Sequence, residues 1–138
     1  MALQPWRKGV IKQIIPETSD TNRYIIEIPE LDVFDFLAGQ FVTLDLPIHE
    51  KSNKRWRSYS IASHPDGTNC IELLIVLNPN GLGTPYIFKE WKIGSEVLLR
   101  GPQGVFTLPQ TLDKKLFLIC TGTGIAPFRS MIKYIEHF

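Results

Sequence analysis

The chain has 138 residues, a formal net charge of +1 and 43% hydrophobic residues, which is typical of one globular domain with at most a fragment of a second. The balance of 15 basic against 14 acidic side chains argues against nucleic acid or an anionic membrane as a partner. No apolar run approaches the roughly 18 residues of a membrane span. Cys70 and Cys120 are far apart, so no metal site is predicted and a reducing, cytoplasmic location is expected.

The first hundred residues alternate short apolar runs with turn-forming residues, as an antiparallel barrel or sandwich does. Strands are predicted over 9–15 and 23–28, joined as a hairpin, and in FVTLDL, where Val42, Leu44 and Leu46 share one face. Further strands are expected over 55–62, in CIELLIVL and over 97–100. A helix capped by Thr84 should reach about Trp91.

The pattern changes after residue 110. An apolar strand, LFLIC, is followed by the turn TGTG and by a helix whose core-facing stripe comprises Phe128, Met131, Ile132 and Ile135. This is one β-α unit of a parallel α/β domain, although the second strand that a parallel sheet requires is not encoded. We therefore predict one domain at 1–110 and the first strand and helix of a truncated domain at 111–138.

Two residues of the strand over 55–62 suit a ligand that carries a phosphate and a flat ring. Side chains alternate along a strand, so Arg57 and Tyr59 point to the same face, about 7 Å apart. A guanidinium binds phosphate bidentately, and a phenol ring stacks on a planar heterocycle. An exposed arginine beside a cross-strand tyrosine is the alternative interpretation. Simple alternation turns Ser60 away, so Ser60 joins such a site only if the strand bends there.

Two glycine-rich segments each precede a predicted helix. NGLGT (80–84) would leave several backbone amides unpaired at the positive end of the helix dipole, an arrangement that binds pyrophosphate, although most such turns bind nothing. TGTGIAP (121–127) follows an apolar strand and opens a helix, as a dinucleotide-binding turn does, with Pro127 in the place of the third glycine of GxGxxG. A tight β-to-α turn without a ligand is the alternative.

Together these motifs resemble the flavin-binding half of the ferredoxin:NADP reductase superfamily, over essentially the entire chain. RxYS stands at 57–60, GxxT at 81–84, GPxGxF at 101–106 and GTGIAP at 122–127. The resemblance implies a mainly β fold, with a six-stranded antiparallel Greek-key barrel and a short capping helix. The FAD-binding barrel would occupy 1–110, and one β-α unit of a truncated NAD(P)-binding domain would occupy 111–138.

The resemblance also implies the site residues. Arg57 would contact the flavin pyrophosphate, Tyr59 would lie against the isoalloxazine ring, and Ser60 would form a hydrogen bond near N5, the atom that receives hydride. Thr123 would lie where nicotinamide meets flavin, so Ser60, Tyr59 and Thr123 form the predicted catalytic set. The remaining predicted cofactor-binding residues come from the same four motifs and from the strand that lines the flavin edge: Ser58, Ile75, Val76, Leu77, Leu82, Gly83, Thr84, Gly122 and Gly124.

The function implied is that of an FAD-dependent NAD(P)H oxidoreductase, in which hydride passes between nicotinamide and flavin N5 and electrons pass onward to an acceptor. FAD against FMN, and NAD against NADP, stay open. An acidic electron-carrier protein, ferredoxin-like or flavodoxin-like, could dock at the basic cluster of Lys51, Lys54, Arg55 and Arg57, although a solvated surface is the simpler interpretation. The alternative is a non-catalytic module that binds flavin or a partner chain. Self-association through the uncovered C-terminal strand and helix is also expected.

Overall fold

A computed structural model describes residues 3–138, and in this range the chain forms six strands and three helices. The strands are β1 (Arg7–Pro16), β2 (Thr21–Glu27), β3 (Phe41–Asp45), β4 (Trp56–Ser60), β5 (Cys70–Val76) and β6 (Glu96–Gln103). The helices are α1 (Ser52–Arg55), α2 (Gly83–Glu90) and α3 (Ile125–His137), and a 3-10 turn at Gly122–Gly124 leads directly into α3. No helix within 3–138 is long and apolar enough to cross a membrane.

All strand pairs of the sheet are antiparallel, in the order β4-β3-β6-β1-β2-β5. The predicted mainly β, six-stranded architecture is therefore confirmed, including the hairpin of β1 and β2. The predicted barrel is not fully closed, however, because the edge strands β4 and β5 share no continuous ladder. One isolated bridge joins Ile61 to Leu73, and the Ala62 amide donates to the Glu72 carbonyl at 2.8 Å. Continued pairing would place Tyr59 opposite Ile75, yet no such pairs form.

The hydrophobic core fills the concave side of this sheet. As predicted, Val42, Leu44 and Leu46 share a face, and all three are fully buried. Tyr24 is nearly fully buried and makes an edge-on contact with Trp91, with ring centroids 5.2 Å apart. Every strand except β4 contributes fully buried residues, as do α2 and some connecting segments, and these residues include Ile11, Ile26, Ile71, Leu73, Ile75, Ile87 and Leu99. The core therefore holds β5 and α2 rigidly beside the gap between β4 and β5.

Two local predictions in this part were wrong. Helix α2 begins at Gly83 and has Leu82 at its N-cap without a side-chain cap, so Thr84 does not cap it. The Thr84 hydroxyl instead accepts a hydrogen bond from the backbone amide of Asn78 at 2.8 Å, in the loop that precedes the helix. The predicted strand over 55–62 is shorter, because residues 52–55 form the helical turn α1.

The C-terminal part also differs from the sequence prediction. Residues 116–120, expected to be a strand, join no ladder in the described structure, and Phe117 and Ile119 are more than four-fifths exposed. A parallel strand needs a neighbour for its amides and carbonyls, and residues 3–138 supply none. On α3, Met131 is buried as predicted, while Ile132 and Ile135 are nearly half-exposed. The stripe is therefore only partly covered.

Candidate functional site

The residues of the RxYS motif lie along the gap between β4 and β5. Arg57 pairs with Leu44 and Tyr59 with Val42, so both side chains point to the face of those buried residues, as predicted. The Arg57 guanidinium is fixed by donating through Nη1 to the Trp56 carbonyl at 2.8 Å and to the Lys54 carbonyl at 3.0 Å. One guanidinium edge is thus committed to the backbone, and the other nitrogens stay available to an anion.

The Tyr59 ring is half-buried and packs against the core cluster. Burial raises the pKa of Tyr59 above its usual value, and the nearby Arg57 charge partly opposes that shift. The phenol is therefore neutral at physiological pH. It presents an uncharged aromatic surface with a hydroxyl at its rim, which suits a flat heterocycle.

Arg57 and the NGLGT segment, separate in the sequence, come together in the structure. A Cβ atom built on Gly83 would lie 3.1 Å from Nε and 3.2 Å from Cγ of Arg57. The first residue of α2 thus lies directly against the arginine. Amides at the start of a helix have no intrahelical partner and carry the positive end of its dipole, so Arg57 and the N-terminus of α2 form one electropositive surface that could accept an anion.

The two serines of the motif lie in different surroundings. The Ser58 hydroxyl is 3.1 Å from the Thr43 hydroxyl, on the face opposite to Arg57, so its side chain connects β4 to β3. Ser60 is the last residue of β4, is half-buried and pairs with Phe41. Alternation gives Ser60 the face of Ser58, and the strand ends where it would have to bend toward the gap.

On the other side of the gap, the last two residues of β5 and the residue that follows them differ in which backbone groups they leave unpaired. Because both backbone groups of Glu72 point toward β4, alternation directs those of Ile75 into the ladder with β2 and those of Val76 into the gap. The Leu77 amide is already used, since it donates to the Asp20 carbonyl at 2.7 Å. By the same alternation Leu74 and Val76 both direct backbone groups toward β4, and Val76 lies farther from the Ile61–Leu73 bridge, where the two strands have separated.

The Gly122–Gly124 turn lies against β5 and borders a cavity of about 410 Å³. Leu74, Val76, Gly122 and Thr123 contribute to its lining. Gly122 has a φ of +54°, a conformation that a glycine adopts without steric cost, and nothing lies near the position of its missing Cβ. The structure thus places Thr123 beside the open edge of β5.

Sequence reasoning missed a charged network at this edge. The Glu72 carboxylate accepts a hydrogen bond from Arg129 of α3 at 2.7 Å and another from Arg23 of β2. Arg23 also donates to Glu17 at 2.8 Å, and this hydrogen bond is the main reason why the pKa of Arg23 is raised. A carboxylate inside the apolar run CIELLIV was the available signal, because a charged residue in such a strand needs a partner.

Comparison with known proteins identifies the family to which this fold belongs. The sequence model of the oxidoreductase FAD-binding domain family matches residues 8–108. The chain belongs to this family. It is 35% identical over 101 residues to the anthranilate 1,2-dioxygenase electron transfer component of Acinetobacter baylyi, covering 73% of this chain and 28% of the relative. It is 37% identical over 100 residues to ferredoxin–NADP reductase B of Sorangium cellulosum, covering 72% and 40%.

Solved structures show the same fold. The Amycolatopsis cytochrome P450 reductase GcoB superimposes with a TM-score of 0.83 at 26% identity, over 99% of this chain and 41% of that one. Phthalate dioxygenase reductase superimposes with a TM-score of 0.83 at 22% identity, over 96% and 40%. The chain therefore spans well under half the length of each of these relatives. Within 3–138, no three His, Cys, Asp or Glu side chains group together as a metal site would require.

Proposed function

We propose that this chain is the FAD-binding part of an NAD(P)H-dependent electron-transfer reductase. The observation that carries the proposal is the unpaired gap between β4 and β5: Arg57 and the N-terminus of α2 lie on its β4 side, and the Val76 edge lies across the gap on the β5 side, beside Thr123. A dinucleotide with a flat ring and a pyrophosphate matches this distribution of an aromatic face, backbone edge and anion-binding surface.

The residues fit FAD in the following roles. Arg57 and the amides at Leu82, Gly83 and Thr84 would hold the pyrophosphate, while Tyr59 would lie against the isoalloxazine ring. The Val76 backbone would meet the polar edge of that ring, with Leu77 beside it, while the fully buried Ile75 would support this edge from the core. When bound, FAD supplies the exchange of hydride with nicotinamide and the onward passage of electrons. The chain's own part is to bind, orient and exclude water.

Ser60 and Thr123 are proposed to act closest to the reacting atoms. The Ser60 hydroxyl makes no hydrogen bond within the described residues, so it is free to serve as a donor near flavin N5. Thr123, with Gly122 and Gly124 on either side, would lie where nicotinamide approaches. Ser58, whose hydroxyl pairs with Thr43, would support the motif rather than touch the ring.

The partners are proposed from the same family. NAD(P)H would be the electron donor, and a ferredoxin-like or flavodoxin-like carrier or an oxygenase component would be the acceptor, as the names of the relatives suggest. Lys51 and Lys54 are exposed on and beside α1, next to the Arg57 end of the gap, and would attract an acidic carrier. The free thiols of Cys70 and Cys120 suit a reducing compartment, so we propose the cytoplasm.

A second candidate is a non-catalytic module that binds flavin or another chain. It is favoured by one observation, the exposed apolar side chains of Phe117 and Ile119, which residues 3–138 leave uncovered. The two candidates differ in one property, because a binding module retains flavin without exchanging electrons with NAD(P)H.

The experiment is a flavin-retention assay followed by anaerobic reduction. The purified chain is mixed with excess FAD, gel-filtered and examined by visible absorption, beside Arg57→Ala and the control Arg7→Ala, whose arginine pairs with Glu30 away from the gap. We expect flavin to be retained by the wild type and the control and lost from Arg57→Ala. Bleaching of the retained flavin by NADH or NADPH supports the reductase, and retention without bleaching supports the module. Equal retention by the wild type and both variants would refute the proposed site.

A further inference from the structure

The carboxylate of Glu72 connects the barrel to α3 through two arginines. Its Oε2 accepts from Arg129 at 2.7 Å, and its Oε1 accepts from Arg23. The side chains of Arg23, Glu72 and Arg129 are 20%, 18% and 27% exposed, so solvent screens these ion pairs less than it screens a surface pair. We call these three residues the Glu72 clamp.

The clamp is anchored on a rigid part of the barrel. The Glu72 amide donates to the Ser63 hydroxyl at 3.0 Å, and its carbonyl accepts from the Ala62 amide at 2.8 Å. Arg129 also donates to the Ala62 carbonyl at 2.8 Å. One arginine of α3 is thus bound to both strand segments where β4 and β5 meet, immediately before they separate into the gap.

Arg129 lies in the first half of α3, so its contacts with the barrel also restrain the Gly122–Gly124 turn that leads into this helix. Arg129 lies about one helical turn after Ile125, where α3 begins, and the Gly122–Gly124 turn directly precedes Ile125. Arg23 and Arg129 line the same cavity of about 410 Å³ as Val76 and Thr123. The second half of α3 has separate contacts, since Met131 approaches Gly39 and the His137 ring stacks on His64 at 4.6 Å.

We infer that Glu72 is a positioning residue: through Arg129 it holds the Gly122–Gly124 turn against the open edge of β5, and so sets how Thr123 meets the flavin ring. This inference rests on the proposed function for its flavin part. Among the described residues, the clamp makes no hydrogen bond to Arg57 or Tyr59. It therefore governs the geometry at the ring edge and leaves the affinity for FAD to Arg57 and α2.

The test compares Glu72→Gln with Glu27→Gln in the full chain. Both variants convert a strand carboxylate to its amide, but Glu27 pairs only with Lys12 at 3.9 Å on the surface. Hydrogen exchange is measured across the chain with and without FAD, together with the dissociation constant for FAD and the visible spectrum of the bound flavin. Arg129→Met and the Glu72→Gln/Arg129→Met double variant complete a double-mutant cycle.

In Glu72→Gln we expect exchange in the first half of α3 to rise about tenfold or more, while β2 and β5 keep their protection. The dissociation constant for FAD should stay within about twofold, while the spectrum of bound FAD shifts toward that of free FAD as the turn leaves the ring edge. Arg129→Met should raise the exchange at least as much, because it also removes the hydrogen bond to the Ala62 carbonyl. The double variant should match Arg129→Met, since Glu72 acts on α3 through Arg129, and Glu27→Gln should match the wild type.

Two results would overturn the inference: α3 exchange unchanged in Glu72→Gln, or a rise spread equally over the barrel, which would indicate a general loss of stability. A wild-type chain that retains no FAD would contradict the proposed function and the flavin part of the inference together. The exchange of the flavin-free chain would still decide whether the clamp holds α3, so the two failures are distinguishable.

Discussion

Arg57 of β4 lies directly against Gly83, the first residue of α2. Any larger residue at position 83 would displace the arginine side chain. A Cβ atom there would approach Nε and Cγ of Arg57 to 3.1 and 3.2 Å. Such contacts are tighter than side chains normally make, and the flexible arginine is the partner that can move. The relationship joins the two anion-binding elements of the site and is directly testable.

Gly83→Ala should weaken FAD binding without unfolding the chain. The added methyl displaces Arg57 from its place beside the helix N-terminus, while alanine favours the helix by about 0.5–1 kcal/mol over glycine. We expect the dissociation constant for FAD to rise about tenfold, because the variant loses about one charge-assisted hydrogen bond to the ligand. The midpoint of urea unfolding should stay unchanged or rise.

Gly81→Ala is the matched control for this change. Its Cβ would meet Asn78 at an ordinary 3.5 Å, and its backbone has no positive φ, so it alters the same loop without touching Arg57. Equal loss of affinity in both variants would mean that loop stiffness, rather than the placement of Arg57, controls the binding of FAD.

Ser60→Ala should separate chemistry from binding if the chain reduces FAD with NAD(P)H as proposed. Removing one hydrogen-bond donor near the reacting atom costs roughly 10²-fold in rate, as at other preorganised sites, while pyrophosphate contacts keep the affinity. Anaerobic stopped-flow absorption of bound FAD measures both quantities. Ser58→Ala is the control, since its hydroxyl pairs with Thr43 and its loss should cost about 1 kcal/mol of stability with little effect on the rate. A Ser60→Ala chain that is reduced at the wild-type rate contradicts the role proposed for Ser60.

The parts of the site that sequence reasoning located are those fixed by local backbone geometry. Alternation along a strand places Arg57 and Tyr59 on one face whatever the rest of the chain does. The Glu72 clamp could not be located in this way, because Arg23, Glu72 and Arg129 belong to three different elements. Thr84 was wrongly predicted to cap α2 from its residue type alone. Its hydroxyl accepts a hydrogen bond from the Asn78 amide in the preceding loop and does not bond to the amides of the helix.

The antiparallel strands followed from periodicity, which left a barrel or a sandwich open, and the barrel was implied by the family resemblance; its incomplete closure followed from neither. A strand pattern reports which face is buried but not whether an edge finds a partner. Residues 116–120 show the same limit: the run LFLIC has the composition of a buried strand, yet a ladder also requires a neighbouring strand.

Gly39→Ala should be strongly destabilising. Gly39 has a φ of +109°, and its Cβ would lie 1.9 Å from the Phe106 carbonyl oxygen and 2.8 Å from the Met131 methyl. A backbone atom cannot move aside as a side chain does, so the segment around Phe106 and the second half of α3 must shift. We expect urea unfolding to show a loss of about 2 kcal/mol or more.

Gly67→Ala distinguishes the clash from backbone strain alone. Gly67 has a φ of +79°, but nothing lies within 4 Å of its Cβ position. The cost there should be only the roughly 1 kcal/mol of a left-handed conformation. Similar losses of stability in the two variants would show that the clash with Phe106 and Met131 adds nothing to the cost of the left-handed backbone.

The exposed apolar residues of the C-terminal part should drive self-association. Phe117 and Ile119 are 83% and 85% exposed, and they lie together in a segment with unpaired backbone groups. Sedimentation velocity should show a weight-average mass that rises with concentration, and Phe117→Ser/Ile119→Ser should suppress the rise. Val105→Ser, at an equally exposed position of the preceding segment, should not. A wild-type chain that stays monomeric at every concentration would exclude this surface as an interface.

The two buried tyrosines should make stability fall in alkaline solution. Burial raises the pKa of both Tyr24 and Tyr59 above the ordinary value of about 10, although the Asn22 hydrogen bond opposes the shift for Tyr24. Between the unfolded and folded pKa values, the native state therefore keeps protons that the unfolded state has lost. The stabilisation is fully present below about pH 10 and is lost as pH rises through the folded values, at up to about 1.4 kcal/mol per pH unit for each proton.

Urea unfolding between neutral and strongly alkaline pH measures this slope. The two proteins compared are Cys70→Ser and Cys70→Ser/Tyr24→Phe/Tyr59→Phe. Cys70 is replaced in both because burial also raises the pKa of its thiol, which would add a second pH dependence of stability at lower pH. The double phenylalanine variant should lose stability less steeply above about pH 10, since neither ring can then release a proton. Parallel curves for the two proteins would mean that the phenols titrate equally in the folded and unfolded chains, and that Tyr59 is more accessible to water than its packing against the core indicates.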